Sequence, residues 1–561
     1  MKVSQLPYER VTIEYIRSAI ESIFADIKSA ASADDVLAAR KRYVDLTTEI
    51  ETMLSLAYCR HTLDTRDQFY TDEQNYYDEI TPELTQIITE YGRLMLESPF
   101  RAELEQRLSP VLFKSFEVAQ KAMSPEIIED MIEENRLTTE YSNFMSQLMF
   151  EFRGEKMPRT LLSRFFQDDD RDTRREAYEA MGRGFEENAE TLDSLFDRLV
   201  KVRDRMAKRM GYKNFVELGY YRMGRLCYDK DMVAGYRKNI LSDIVPVVAR
   251  LKARVAERLG IDRIMMYDDS VVVAGGNPRP VLDTAGIFAE AREMYHSMSP
   301  QTAAFIDMML ENEAFDVESR EGKWGGGYCT SFAKYKQPFI LANFNGTAGD
   351  IDVITHEAGH AFADFMTCDN ELRELGIGGM ETAETHSMSM EFFCWRYMDR
   401  FFGDKAQQYR YMHALDGLSF LPYGTMVDAF QHIVYEKPDM TPAERKAAWK
   451  ELEGKFRPFM CIDGIPYTEE GTRWQYQAHI YESPFYYIDY VLAQTAAFNF
   501  LLASQEDYDD AFARYLHLLK QGGEQVWTDL LVEAKIPNPF EPGALRTLAE
   551  GVEALLEKIQ P

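Results

Sequence analysis

The segment His356-Glu-Ala-Gly-His360 places two histidines one helical turn apart, with a glutamate, Glu357, beside the first. At about 100° per residue, positions i and i+4 stand roughly 40° apart around a helix, so both imidazoles can face one point. Glu357 falls about 60° from His360 on the same side, within reach of a water at that point. A Zn²⁺ ion suits this arrangement. It takes neutral nitrogen donors, keeps one position open and makes a water acidic enough for a nearby carboxylate to deprotonate. The chemistry on offer is metal-assisted hydrolysis, and His-Glu-x-x-His is the pattern that zinc peptidases use for it. The chain has only nine His in 561 residues, so two at this spacing around a glutamate are poorly explained as incidental members of a buried helix.

The flanks support a helix. Thr347 and Asp350 are N-cap candidates, and Ile351, Ile354, Ala358, Ala361, Phe362 and Phe365 give the segment an apolar side. Gly359 lowers helix stability, which implies close approach of another backbone.

Two histidines do not hold a catalytic zinc, so a third protein ligand is required. Downstream, Glu381 to Trp395 reads as a second helix entered from the Gly376-Ile-Gly-Gly379 loop. Glu384, Ser387 and Glu391 fall at i, i+3 and i+7 and form a polar stripe on an otherwise Met- and Phe-rich surface. Glu384 is assigned as the third ligand, and Glu391 as the group that orients a ligand histidine through its other nitrogen. The rival ligands are Glu381, at the margin of the stripe, and His386, about 160° away from Glu384. A third cluster runs from Tyr476 to Tyr490 and includes His479. Ser483-Pro484 reads as an N-cap followed by a first-turn proline, so a helix is expected to start at Pro484. On it Tyr487 and Tyr490 share a face, with Tyr486 one turn before Tyr490. Amide hydrolysis passes through a tetrahedral oxyanion, which positioned Tyr or His donors stabilise by a few kcal/mol.

These blocks resemble the thimet oligopeptidase and oligoendopeptidase F family of zinc peptidases, nearest its shorter bacterial branch, the Pz-peptidase-like oligoendopeptidases. The resemblance runs through Gly327-Tyr328, Pro338 to Thr347, His356 to His360, Glu384-Thr-His-Ser387 with Glu391, Phe430-Gln-His-Ile-Val-Tyr-Glu436, and His479 to Tyr490. It implies zinc ligands His356, His360 and Glu384, with Glu357 as general base. It also implies transition-state donors from His479, Tyr487 and Tyr490, with Tyr486 as the alternative to Tyr487. It implies a helical shell over a deep cleft that admits short unfolded peptides, with the run Pro338 to Phe344 as the strand edge that receives them. His432 is expected to be structural.

The elements that must position these groups are mostly helical. Apolar residues recur every three to four positions over Thr12–Ala31, Ala33–Arg66, Thr71–Leu96, Pro99–Ala122 and Pro125–Glu151. An N-terminal helical lobe over residues 1–165 is expected, followed by a catalytic domain over 166–561. Gln167 to Asp172 is an acidic helix opening, and Val271 to Pro278 a short strand or loop without a phosphate-loop frame. Gly322 to Phe344 holds the convincing strand material, so the expected architecture is a mostly α, two-lobed shell with a small antiparallel sheet beside the zinc helix.

A formal charge of −30 disfavours binding to nucleic-acid backbones and anionic membranes. The N-terminus has no apolar signal region, and six scattered cysteines form no CxxC pair, which together point to the cytoplasm. Cys368 and Cys394, near the ligand helices, read as packing residues. The expectation is a cytoplasmic endopeptidase that binds one Zn²⁺ per chain and hydrolyses internal bonds of oligopeptides. A peptidyl-dipeptidase or metallocarboxypeptidase is the first alternative and would need an Arg or Lys in the cleft to hold a terminal carboxylate. A non-catalytic peptide-binding protein is the second.

Overall fold

The computed structural model describes residues 1–559 and 561. The chain is mostly helical, with five short strands among the described residues. Its N-terminal part is an array of helices whose starts follow local chemistry. Thr12 caps Ile13–Ser29 by accepting from the Tyr15 N–H, and Ser32 caps Ala33–Leu63 by accepting from the Asp35 N–H. Helix Gln68–Glu97 runs through Pro82 without breaking. The expected Pro99–Ala122 helix is instead two, Arg101–Arg107 and Pro110–Ala122, because Ser109 and Pro110 supply a cap and a first-turn residue mid-run.

The expected helix to Glu151 stops at Gln147. Strands β1 (Met149–Phe152) and β2 (Glu155–Pro158) follow as an antiparallel hairpin. Phe150 and Phe152 point inward, and Arg153 and Gly154 both take positive φ at the turn, as a two-residue hairpin loop demands.

A buried ionic cluster ties this array to the rest of the molecule. Glu134 on helix Ile128–Gln147 accepts from Arg203 Nε at 2.6 Å and from Arg222 at 2.8 Å, while Arg203 also donates to the Tyr435 hydroxyl and the Tyr481 carbonyl. Burial opposes ionisation of Glu134, but Arg222 and Arg203 outweigh it and hold its pKa down at about 2, against an ordinary 4.5. A carboxylate depressed in this way contributes stability that is present above the ordinary value and lost as pH falls through the folded one. Glu134→Gln is therefore expected to cost about 3–5 kcal/mol at pH 7, chiefly by leaving the buried Arg203 guanidinium without its charged partner. It should also flatten the loss of stability between pH 4.5 and 2. Urea unfolding at both pH extremes checks this, and parallel stability curves for the two proteins would contradict it.

Strands β3 (Phe315–Glu318), β4 (Tyr328–Phe332) and β5 (Gln337–Phe344) form a second sheet in the order β3-β5-β4. The sheet is mixed, a correction to the antiparallel expectation: β4 pairs with β5 antiparallel, but β3 pairs with β5 parallel. The run Pro338 to Phe344 is also not a sheet edge. It lies in the central strand, buried along most of its length with both sides paired, and the sheet's two edges belong to β3 and β4. Val271 to Pro278 is loop, and no helix among the described residues is long and apolar enough to cross a membrane.

Candidate metal centre and oxyanion site

Strand β5 leads through a short loop into helix Gly349–Thr367, which carries His356, Glu357 and His360. Neither expected residue caps it. Ala348 occupies the cap position, and Asp350 lies inside the first turn, where its carboxylate accepts from the N–H groups of Asn345 and Gly346. Asp350 thus fastens the loop to the helix it precedes. The second helix, Met380–Phe393, crosses at Gly359. A Cβ on Gly359 would sit 2.5 Å from Ser387 Cα and 3.0 Å from the His386 carbonyl oxygen, so only glycine permits this approach.

The crossing brings Glu384 to the two histidines. Glu384 Oε2 lies 3.4 Å from His356 Nε2 and 3.5 Å from His360 Nε2, and one ligand atom from each of the three side chains lies within 4.8 Å of the others. The other carboxylate oxygen, Oε1, accepts from the Tyr486 hydroxyl at 2.8 Å. Burial raises the pKa of Glu384, but His360 and His356 outweigh it and keep the carboxyl well below the ordinary range. The rival ligands stand apart. Glu381 is buried with its carboxylate against Gly379, pushed up to about 7 by burial and then by Asp489. His386 is buried with neither ring nitrogen hydrogen-bonded.

Glu391 accepts from His356 Nδ1 at 2.6 Å, which leaves His356 Nε2 free to face Glu384. Its second oxygen is bonded to His413 Nε2 at 2.6 Å, a partner that no motif indicated. The tautomer of His413 follows from Trp395, whose indole N–H donates to His413 Nδ1 at 2.7 Å, so the imidazole proton sits on Nε2 and points at Glu391. Sequence periodicity missed His413 because it lies on a different helix, Ala406–Glu436.

Glu357 sits beside β4. Burial raises its pKa, with His356 and His360 pulling the other way, and the Cys329 backbone N–H is close enough to favour its charged form. A carboxylate held above its ordinary range is a better proton acceptor than a free one.

His479 lies on the short helix Ala478–Glu482, with the rings of Tyr486, Tyr487 and Tyr490 at 5.7, 5.0 and 5.7 Å from its own. Burial lowers its pKa despite Glu384 nearby, so the ring is neutral. The Gln477 amide donates to His479 Nδ1 at 2.8 Å and is itself oriented by the Tyr423 hydroxyl on Oε1. The proton of His479 therefore lies on Nε2, available to an incoming oxygen.

The helix after His479 begins at Tyr487, three residues later than expected, and Ser483 does not cap it. What intervenes is a turn in which Phe485 has φ +67°. The Phe485 N–H donates to Gln431 Oε1 at 2.7 Å, its carbonyl accepts from Arg225, and its ring packs against Gly219, where a Cβ would meet it at 2.5 Å. His432, which also bonds the Tyr220 hydroxyl, lies edge-on to the Phe485 ring. This clamp turns Tyr486 toward Glu384, while Tyr487 packs edge-on against Phe420 and Tyr423. Arg225 carried no sequence signal, and Gln431 lay in a block of the resemblance without a role, since both act on a residue far away in the chain.

Two family models match the chain: a peptidase M3 N-terminal domain over residues 3–123, and peptidase family M3 over residues 289–550. Along its whole length the chain is also 42% identical to a solved Pz peptidase A with an inhibitor, covering 100% of both chains with a TM-score of 0.96. The chain belongs to peptidase family M3. Among curated relatives, the M3 chain is 25% identical over 418 residues to oligopeptidase PepF of Bacillus subtilis (strain 168), covering 71% of this chain and 59% of that protein. It is 22% identical over 399 residues to the chromosomal oligoendopeptidase F of Lactococcus lactis subsp. cremoris, covering 66% of this chain and 61% of that one. The aligned region therefore spans about three-fifths of the length of these curated relatives.

Proposed function

We propose that this M3 chain is a cytoplasmic zinc-dependent endopeptidase that hydrolyses internal bonds of short oligopeptides. The observation that carries the reading is the convergence of His356 Nε2, His360 Nε2 and Glu384 Oε2, with Glu357 alongside. Two donors about 2.0–2.1 Å from a tetrahedral ion are separated by roughly 3.3–3.4 Å. The two histidine-to-carboxylate separations, 3.4 and 3.5 Å, fit that span. Two nitrogens and one carboxylate oxygen are also the donor set of a catalytic zinc with an open position. The six free cysteines suit a reducing compartment.

Bound there, Zn²⁺ would acidify a water and polarise the scissile carbonyl. The protein's own groups do the rest. Glu357 takes the proton of the attacking water and returns it to the leaving amine. His479, through Nε2–H, donates to the oxyanion, joined by Tyr490 and by Tyr487 or Tyr486. Of these, Tyr486 has the hydroxyl that already lies on Glu384. Glu391, itself braced by His413, holds the His356 ring in register.

The test is an internally quenched peptide of eight to ten residues, acetylated and amidated, with products identified by mass. Internal cleavage that stops on chelation and returns with Zn²⁺ is expected. Cleavage only of peptides with a free terminus would assign the chain to the exopeptidases.

A further inference from the structure

We propose that Asp364, one turn beyond His360 on the helix that carries the metal donors, is a specificity-determining carboxylate that pairs with a cation of the substrate about two or three residues before the cleaved bond. The cation is a Lys or Arg side chain or the peptide's N-terminal ammonium. This rests on the peptidase reading above and adds a substrate class to it: oligopeptides with positive charge on the N-terminal side of the bond.

The position follows from helix geometry. Asp364 comes seven positions after Glu357 on helix Gly349–Thr367, which sets the two carboxylates about 20° apart around the axis and about 10 Å apart along it. Both therefore face the same side. Strand β4 lies against that side. Burial raises the pKa of the Cys329 thiol, and Asp364 and then Glu357 raise it further, so this thiol stands close to both carboxylates. Ser331, two residues along β4, turns the same way. These two small side chains leave room for the stem of a lysine or arginine. Asp364 itself is half-buried, and among the described residues it has no ion pair or hydrogen bond. Burial pushes its carboxyl up to about 6, with His360 pulling the other way and no Lys or Arg acting on it. A partly desolvated carboxylate without a partner is costly to the free protein, and a substrate cation offsets that cost on binding.

The polarity of β4 says which part of a peptide arrives there. Strand β5 runs antiparallel to β4 and leads through a short loop into helix Gly349–Thr367, so the helix and β4 run in the same sense. Contacts at both ends agree. The Cys329 N–H lies at Glu357, and Lys336, just beyond β4, pairs with Asp369, just beyond the helix. Asp364 is thus on the C-terminal side of the position at which Glu357 meets β4. A peptide added antiparallel to the β4 edge directs its N-terminal residues that way. At about 3.3 Å per residue, 10 Å is roughly three residues of extended peptide. A carboxylate at that point attracts a cation and repels an acidic residue.

The experiment uses internally quenched peptides of one neutral sequence, amidated at the C-terminus, in which lysine, norleucine or glutamate is placed in turn at each position around the bond. A second set carries no lysine and differs only in an acetylated or a free N-terminus, which separates the ammonium from the side chain as the source of the cation. The parent protein is compared with Asp364→Asn and Asp364→Glu, and metal content is measured in all three. We expect lysine two or three residues before the bond, or a free terminus at that distance, to raise kcat/KM about tenfold over its neutral match, mainly through KM. Glutamate there should lower it. The cation-to-neutral ratio should fall to about one in Asp364→Asn and persist in Asp364→Glu, with one zinc per chain in each. Calorimetry on Glu357→Gln, which binds peptide without turning it over, should show the same ratio in Kd. A parent indifferent to charge before the bond, a preference on the other side of it, or an undiminished ratio in Asp364→Asn would overturn the subsite while leaving the peptidase reading standing. Loss of zinc from Asp364→Asn would overturn it as well, by making Asp364 a support of His360. Failure to cleave any peptide with zinc present would remove the peptidase reading itself.

Discussion

Replacing Glu357 with glutamine is expected to leave one zinc per chain and to lower kcat by about 10³- to 10⁴-fold, with KM little changed. The loss is the scale of a general base removed from a positioned water. The amide has nearly the shape of the carboxylate and faces the same Cys329 N–H, so packing is preserved, but it accepts no proton at neutral pH. Metal analysis by mass spectrometry and steady-state kinetics on the blocked peptide check both halves of the statement. Near-normal turnover in the metal-loaded variant would remove Glu357 from the reaction.

Glu384→Ala has a different expected signature. It deletes the only oxygen donor of the three, leaves Tyr486 without its acceptor, and leaves Ser387 with only the backbone carbonyl of residue 384. Metal content after exhaustive dialysis should fall to near zero, with activity following it, and excess Zn²⁺ should restore little. Glu391→Gln is the graded comparison. It weakens the hold on His356 without removing a donor, so metal affinity should drop about 10- to 100-fold, as is usual for a group that orients a ligand. Activity should then return at high Zn²⁺. Retention of a full ion by the Glu384 variant would contradict the proposed donor set, whatever the activity does.

The parts of this site that could be read from the sequence are those that one helix carries alone. The spacing of His356, Glu357 and His360, the stripe of Glu384, Ser387 and Glu391, and the meaning of Gly359 all depend on a 3.6-residue period and a glycine's missing side chain. Groups whose role exists only across packed helices were not legible. His413 reaches Glu391, Gln477 fixes the His479 tautomer, and Gln431 and Arg225 hold Phe485, each from a separate segment. The helix Tyr487–Glu506 starts later than Ser483-Pro484 implies, because the Ser-Pro cap signal is overruled by burial of the Phe485 ring. The strands failed for related reasons. The Arg153-Gly154 hairpin lacks the usual Asn or Asp, and β3 is four residues long and finds its parallel partner well downstream. Residues 337–344 were readable as strand material, but their central place in the sheet depends on β3.

The clamp on Phe485 has a consequence for the order in which this molecule becomes chemically competent. Its two hands, Arg225 and Gln431, belong to stretches separated by some two hundred residues, and the tyrosine they aim lies later still. A chain cut off before Phe485 would carry all three candidate metal donors, yet neither the tyrosine that meets Glu384 nor the helix Tyr487–Glu506 that packs against Met380–Phe393.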